Sequence, residues 1–195
     1  MKRLFDILFS SLLLLLLLPL LLVIALLIAV TSPGGAFFRQ VRVGKEGREF
    51  RLFKFRTMRP GSEAKGQITV GSRDPRVTGI GQVLRRTKCD ELPQLLNVLV
   101  GDMSIVGPRP EVPKYVAMYT PEQRRVLTVR PGITGPASVE YINENELLGR
   151  SPDPKRTYIE EVMPAKLAID LRYVERASLT TDLKIIGTTV LKLFR

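Results

Sequence analysis

An apolar stretch near the N-terminus constrains this chain more than any other feature. From Ile7 to Val30, 24 consecutive residues carry no charge, and leucine dominates them. About 20 apolar residues are enough for a helix to cross the hydrocarbon core of a bilayer. Pro19 lies near the middle, and proline removes one backbone hydrogen bond and bends a helix. The stretch therefore predicts a membrane segment with a kink at Pro19.

The charges around this segment distinguish three kinds of membrane segment. A secretory signal would use Lys2 and Arg3 as its basic start, but its apolar region would be shorter, and "AVTSPGG" is a poor cleavage site. A straight span would export Lys2 and Arg3, although basic residues mark the cytoplasmic side. Basic residues also follow the segment, at Arg39, Arg42, Lys45, Arg48, Arg51, Lys54, Arg56 and Arg59. Residues 1–33 are therefore predicted to form a re-entrant helix, in preference to a straight span, and residues 34–195 a membrane-associated domain in the cytoplasm.

The composition restricts the chemistry that the domain can perform. The chain has 30 Lys and Arg against 19 Asp and Glu, a formal charge of +11, which predicts an anionic partner such as a phosphate-bearing ligand, acidic lipid or nucleic acid. Histidine is absent and Cys89 is the single cysteine, which excludes an internal disulfide and the zinc sites built from these residues. A metal would need oxygen ligands, as magnesium or calcium does.

The remaining pattern predicts an α+β fold that is mainly helical. Alternating apolar and basic residues predict a β-hairpin, Phe37–Val43 and Glu49–Phe55, around the loop "GKEG". Two helices are expected to break near Cys89–Pro93. Further predictions are a short helix capped by Thr120, a glycine- and proline-rich loop "RPGITGPASVEY", and helices over Glu144–Gly149 and Pro154–Val174.

The C-terminal sequence "TTDLKIIGTTVLKLFR" is amphipathic. One helical face would carry Leu183, Ile186, Gly187, Val190, Leu191 and Phe194. This pattern fits an interfacial helix on an acidic leaflet, and it fits equally a helix packed on the core. We expect interfacial amphipathic helices around a compact catalytic core.

The segment "RRTKCDELPQLLNVLVGDMSIVGPRPE" concentrates the candidate chemistry. Asp90 and Glu91 precede Pro93, which favours the first turn of a helix, and the positive end of that helix keeps carboxylates ionised. Arginine and lysine crowd the same place, at Arg85, Arg86 and Lys88. An ionised aspartate among cations is either a structural ion-pair hub or a nucleophile and metal ligand in an anion-binding pocket.

Arg109 lies between two prolines in "GPRP". Because proline fixes the backbone, little entropy is lost when the guanidinium grips a phosphate with two hydrogen bonds. The alternative is a surface turn with a solvated arginine.

The motifs "KFRTM", "LRRTKCDELPQLLNVLVGDMSIVGPRPE" and "VRPGITG", in this order behind an apolar segment, resemble the small monotopic phosphoglycosyl transferases. The resemblance covers nearly the whole chain. It implies transfer of a phosphosugar from a UDP-sugar to polyprenyl (undecaprenyl) phosphate with release of UMP. That reaction is the first membrane step of bacterial glycoconjugate and exopolysaccharide assembly, on the cytoplasmic face of the inner membrane. Larger members carry an extra N-terminal membrane domain, so this chain is expected to be a minimal catalytic form.

The resemblance also implies roles for particular residues. Asp90 would be the nucleophile of a covalent aspartyl-phosphosugar intermediate and a ligand of Mg²⁺, and Glu91 would act in acid/base chemistry or support the metal. Phosphate or substrate binding is implied for Lys54, Arg56, Arg85 and Arg109. The family's re-entrant helix is kinked at a proline that follows a serine in well-known members, whereas Leu18 precedes Pro19 here.

Several matters stay open at the level of sequence. The donor sugar is not specified, and "GPASVEYINENELLG" is the candidate selectivity region. The oligomeric state is open, and a homodimer is one of the alternatives. A membrane-tethered protein that binds nucleic acid is disfavoured, because the basic residues alternate with Gly-Pro loops and aromatic residues are only 7%. A polyprenyl diphosphate hydrolase is a further alternative within the enzymes.

Overall fold

A computed structural model describes residues 1–62, 66, 68–71 and 74–193. This part of the chain is mostly helical with two small two-stranded sheets, which agrees with the predicted α+β class. The helices are α1 Lys2–Thr31, α2 Gly79–Arg86, α3 Gln94–Val100, α4 Pro113–Val116, α5 Pro136–Glu140, α6 Glu144–Gly149, α7 Pro154–Thr157, α8 Met163–Arg176 and α9 Leu179–Leu193. The strands are β1 Phe37–Val43, β2 Glu49–Phe55, β3 Ser104–Val106 and β4 Gly132–Thr134.

Helix α1 is long and apolar enough to cross a membrane, and it is helical through Pro19. Both of its halves pack against the rest of the chain. Phe9 and Leu13, in the first half, contact the core around α3 and β3. In the second half, Ile24 and Ile28 are buried in a cluster with Phe55 of β2 and Leu84 of α2. The two halves of α1 therefore lie against one body rather than projecting from it.

Polar contacts hold the first turns of α1. Lys2 forms an ion pair with Asp182 of α9 and donates to the Val106 carbonyl oxygen at 3.0 Å. Arg3 donates to backbone carbonyl oxygens at the end of α3. Asp6 is buried and accepts a hydrogen bond from the Ser104 hydroxyl at 2.9 Å. These contacts attach the N-terminus directly to the globular part of the chain.

The predicted hairpin is confirmed at both of its strands. β1 and β2 pair antiparallel from Phe37 opposite Phe55 to Val43 opposite Glu49, with a 3₁₀ turn between them. Asn97 of α3 is fully buried and joins the hairpin to the helix. Its side-chain oxygen accepts from the Phe53 N–H at 2.9 Å, and its NH₂ donates to the Arg51 carbonyl at 2.9 Å.

The break between α2 and α3 is also confirmed. The chain leaves α2, makes a 3₁₀ turn at Cys89–Glu91 and enters α3 after Pro93. Lys88 begins this turn with a left-handed backbone (φ 57°, ψ 12°), a conformation that a lysine rarely adopts. The turn places Asp90 in the interior.

The prediction of a loop over "RPGITGPASVEY" is wrong. This segment contains β4, which pairs parallel with β3, and the short helix α5. The pairing depends on glycine, because a Cβ at Gly132 would lie 2.1 Å from the Gly107 nitrogen. A Cβ at Gly135 would lie 2.2 Å from the Gly107 carbonyl oxygen. This close backbone contact supports the loop that carries Arg109.

Two helix predictions need adjustment. The α-helix expected after Thr120 is a 3₁₀ helix, Gln123–Thr128, although the Thr120 hydroxyl does accept from the Gln123 N–H at 3.2 Å. The helix expected over Pro154–Val174 extends to Arg176 and contains a π-helical turn at Tyr158–Val162. The helix Glu144–Gly149 is confirmed.

Helix α9 combines the two interpretations of its sequence. Ile185 and Ile186 pack against the core beside β3. Leu183 and Leu191 are exposed, Leu191 by 69% of its surface. Phe194 lies outside the described residues. One side of α9 is thus a core helix, and the other presents apolar side chains outward.

Candidate active site

A cavity of about 720 Å³ opens between the hairpin, the turn before α3, the "GPRP" loop and helices α5, α8 and α9. It falls within the usual range for small-molecule sites. All six residues predicted for catalysis and phosphate binding line it: Lys54, Arg56, Arg85, Asp90, Glu91 and Arg109.

An acidic pair and two cations form the centre of the cavity wall. Asp90 is 4% exposed. The Lys54 ammonium lies 3.3 Å from Asp90 Oδ2 and 3.2 Å from Glu91 Oε1. Arg109 grips Glu91 with both prongs of its guanidinium, at 3.1 and 2.5 Å. Four residues separated by up to 55 positions in sequence therefore form one charged group.

The electrostatics of this group keep Glu91 ionised. Burial alone would raise the pKa of Glu91, but Arg109, Lys54 and Lys88 together hold that pKa well below its usual value. Glu91 in turn raises the pKa of Arg109. Glu91 is therefore an anion at neutral pH that orients two cations toward the cavity.

The remaining predicted cations differ in their contacts. Arg85 donates to the hydroxyls of Thr57 at 2.9 Å and Thr69 at 3.1 Å. Because hydroxyls are neutral, these contacts do not neutralise the charge of Arg85. Burial lowers the pKa of Arg85. Arg56 instead donates to the backbone carbonyls of Gly35 and Phe37. The structure thus brings Lys54, Asp90, Glu91 and Arg109 into contact, places Arg85 nearby, and directs Arg56 toward the start of the hairpin.

Lys88 is a cavity residue that the predicted site did not include. Burial lowers the pKa of Lys88, and the charge of Glu91 opposes this effect. Its left-handed backbone is a local strain of the kind that accumulates at functional sites. Its position two residues before Asp90 indicates that Lys88 belongs to the site. Its left-handed backbone conformation is not evident from the sequence.

A second network supports the "GPRP" loop from behind. Arg42 of β1 donates to the Pro110 carbonyl at 2.9 Å and to Glu111 at 3.3 Å. The Tyr158 hydroxyl, in the π-helical turn, also donates to Glu111. Burial lowers the pKa of Arg42, while Glu111 opposes that shift. Sequence reasoning had counted Arg42 only among the basic residues that follow the membrane segment.

The residues at this site can supply only some of the ligands of a magnesium ion. Within the described residues, no group of three or more His, Cys, Asp or Glu side chains is arranged to hold a metal ion. Mg²⁺ is commonly bound through one or two carboxylates together with substrate phosphates and water. Asp90 lines this basic cavity and can supply one such carboxylate.

Comparison with known proteins identifies the family to which the chain belongs. The model of the family described as bacterial sugar transferase matches residues 1–195. UDP-glucose:undecaprenyl-phosphate glucose-1-phosphate transferase of Caulobacter vibrioides is 40% identical over 97% of this chain and 68% of its own length. UDP-N-acetylgalactosamine-undecaprenyl-phosphate N-acetylgalactosaminephosphotransferase of Aeromonas hydrophila is 40% identical over 97% of this chain, but this chain spans only 43% of that relative.

A third relative matches in length as well. Exopolysaccharide production protein PSS of Rhizobium leguminosarum bv. phaseoli is 42% identical over 100% of this chain and 96% of its own length. The family match and these identities extend over both α1 and the residues of the cavity. The chain therefore belongs to the bacterial sugar transferase family.

Proposed function

We propose that this protein is a phosphoglycosyl transferase that moves a phosphosugar from a UDP-sugar to polyprenyl phosphate and releases UMP. The observation that carries the proposal is the buried Asp90 carboxylate at a cavity lined by Lys54, Arg85 and Arg109. Three cations suit a site for phosphate-bearing ligands. The relatives' names supply the chemical class of both substrates.

The reaction proceeds in two displacements at one phosphorus atom. Asp90 attacks the phosphorus that bears the sugar, the bond from that phosphorus to the bridging oxygen breaks, and UMP leaves with the oxygen. Asp90 then carries the phosphosugar as an acyl phosphate. A phosphate oxygen of the polyprenyl phosphate attacks the same phosphorus, and the Asp90 carboxylate is released. Neither step needs an external proton donor, since the attacking and leaving groups are both anions.

The cations lower the electrostatic barrier to this attack. A carboxylate approaching a diphosphate meets like charge, and Lys54, Arg85 and Arg109 offset that charge from the cavity wall. Asp90 and the diphosphate oxygens would together hold Mg²⁺, which when bound supplies further neutralisation of the diphosphate. Glu91 holds Arg109 and Lys54 in place through its hydrogen bond and ion pairs.

The membrane arrangement forms part of the proposal. We propose that α1 is re-entrant and kinked at Pro19, with both ends on the cytoplasmic face of the inner membrane. The contacts of both halves of α1 with the same body, and the ion pair of Lys2 with Asp182, support this topology. A straight span would carry Lys2 to the side of the membrane opposite Asp182.

Activity is tested by measuring UMP release from detergent-solubilised protein with UDP-sugars, undecaprenyl phosphate and magnesium. Asp90→Asn is expected to abolish release. The matched control is Asp153→Asn, at an exposed helix cap where asparagine also caps well. Without acceptor, the wild type is expected to release UMP once per enzyme and to gain the mass of one phosphosugar. No UMP from a broad donor panel would refute the proposal, and phosphate release from polyprenyl diphosphate without nucleotide would favour the hydrolase.

Topology is tested by labelling single cysteines in a Cys89→Ser background. One cysteine is added ahead of Met1 and the other replaces the exposed Arg59. A re-entrant α1 predicts that an impermeant reagent labels both only from the cytoplasmic side. Labelling of the first cysteine from the opposite side would establish a straight span.

A further inference from the structure

The cavity has a second polar region, away from Asp90, between α5 and α8. Ser138 of α5 and Asp170 of α8 both line the cavity. Ser138 Oγ and Asp170 Oδ1 are buried and have no hydrogen-bond partner among the described residues. Asp170 is only 4% exposed. A buried polar atom without a partner is costly, so two such atoms in one cavity wall call for a ligand.

The state of Asp170 limits what that ligand can be. Burial raises the pKa of Asp170 to about 7, although the Ala137 N–H and the charge of Lys166 act in the opposite direction. The carboxyl group can therefore either donate or accept a hydrogen bond near neutral pH. Such a group suits a hydroxyl, which also does both. It does not suit a phosphate, which the ionised form would repel.

The charge of Glu144 acts on both this region and Arg109. Lys166 lies one helical turn before Asp170 and donates to Glu144 Oε2 at 2.5 Å. Glu144 contributes to the raised pKa of Arg109, behind the larger effect of Glu91, so the two side chains are within electrostatic range. Asp170, Glu144 and Arg109 all line this one cavity.

We propose that Ser138 and Asp170 form the subsite that binds hydroxyl groups of the donor's sugar. This inference rests on the proposed function, because it assigns a part of the cavity to the group that is transferred with the phosphate. The polyprenyl chain offers no hydrogen-bonding groups, and the phosphates belong with the cations. A pyranose has hydroxyls on neighbouring carbons, so one sugar ring offers a separate hydroxyl to each of the two atoms.

The subsite is tested by comparing ligands with and without a sugar. Dissociation constants for UDP-glucose, UDP-N-acetylgalactosamine and UMP are measured by calorimetry in an Asp90→Asn background, which prevents turnover. Ser138→Ala and Asp170→Ala are each expected to weaken the better-bound UDP-sugar about ten- to a hundredfold. Binding of UMP is expected to change by less than about twofold. The difference between these two effects isolates the sugar.

Ser32→Ala is the matched control. The Ser32 hydroxyl oxygen is also buried and has no partner in the described part of the chain, but Ser32 is not among the described residues that line the cavity. It is expected to leave the affinity for both kinds of ligand unchanged. A general loss of folding would instead weaken UMP and UDP-sugar alike, in every variant that shows it.

Donor analogues that lack one hydroxyl complete the test. At one ring position, removing the hydroxyl is expected to weaken binding when Asp170 is present. In the Asp170→Ala variant, the same analogue is expected to bind as well as the complete donor. Equal losses for UMP and UDP-sugar in a variant that keeps the wild-type circular dichroism spectrum would place Asp170 on the nucleotide and overturn the proposal. Unchanged affinity for both would mean that water satisfies these atoms, which also overturns it. Tight UMP binding with these results would still support the transferase, whereas absence of any uridine nucleotide binding would refute the proposed function itself.

Discussion

The ion pair between Lys2 and Asp182 gives a sharp test of how α1 is attached. The Asp182 carboxylate is 1% exposed, and it accepts from the Tyr173 hydroxyl at 2.6 Å as well as pairing with Lys2. Lys2→Met removes the cation and leaves a buried carboxylate with a neutral donor. Breaking a buried pair from one side costs about 3–5 kcal/mol. Because the Lys2 side chain is 39% exposed, we expect the lower end of that range.

The double variant Lys2→Met, Asp182→Asn separates the effect of losing the ion pair from the effect of losing the lysine side chain. Asp182→Asn removes the charge that Lys2→Met leaves unpaired, so the double variant is expected to be more stable than the sum of the two single changes predicts. A loss of about 3 kcal/mol corresponds to a fall of about 6–12 °C in Tm for a chain of this length. The melting temperature is measured by far-ultraviolet circular dichroism in detergent, since the chain has no tryptophan.

A surface lysine provides the control for this cycle. Lys155 is exposed, and Lys155→Met is expected to change stability by less than about 0.5 kcal/mol. A loss below about 1 kcal/mol for Lys2→Met, or strict additivity in the double variant, would refute the reasoning. Strong coupling would show that Lys2 and Asp182 pair in the folded protein, as the proposed re-entrant topology requires.

Three further predictions concern the site and its support. Gly132→Ala is expected to destabilise the fold by about 3 kcal/mol or more, because its Cβ would lie 2.1 Å from the Gly107 nitrogen. Gly79→Ala is the control in the same thermal melts, because a Cβ at Gly79 would meet no atom of the described residues within 4 Å. Arg109→Lys is expected to lower the rate of UMP release about tenfold or more, because lysine cannot make the two-pronged contact, and an unchanged rate would contradict that role. Burial raises the pKa of Asp170 from its ordinary value of 3.8 to about 7, so the folded state retains a proton that the unfolded state has lost, and stability falls as pH rises from about 4 to 7. Asp170→Asn is therefore expected to stabilise the protein more at pH 8 than at pH 5, and equal effects at both pH values would contradict this.

The sequence predicts those secondary-structure elements that are determined by residues close together in the chain. The hairpin follows from the alternation of apolar and basic residues along Phe37–Val43 and Glu49–Phe55. The break at Cys89–Glu91 follows from Pro93, which favours the start of a new helix. The predicted site residues also share one cavity. Each of these results depends on residues close together in the chain, or on motifs long enough to identify a family.

The features that sequence reasoning missed depend on distant contacts. Nothing within "RPGITG" indicates a strand, because β4 forms only by pairing with β3, more than 20 residues earlier, through glycines that allow contact between backbones. In the sequence, Arg42 is one basic residue among many, and only the fold shows that it lies behind the "GPRP" loop. Asp170 appeared only as part of a predicted helix, and its burial beside the cavity is a property of the packed protein.

The packing of α1 connects the membrane segment to the chemistry. Phe9 and Leu13 of α1 form part of the cavity wall itself, and Ile28 shares a buried cluster with Leu84, next to Arg85. In the proposed membrane arrangement, the depth of α1 in the lipid would therefore set the position of the cavity relative to the bilayer. For a polyprenyl phosphate acceptor, this arrangement lets the apolar chain stay in the leaflet while its phosphate reaches Asp90. The proposed re-entrant α1 keeps both of its halves against the body that carries the cavity, whereas a helix that left through the opposite leaflet could not.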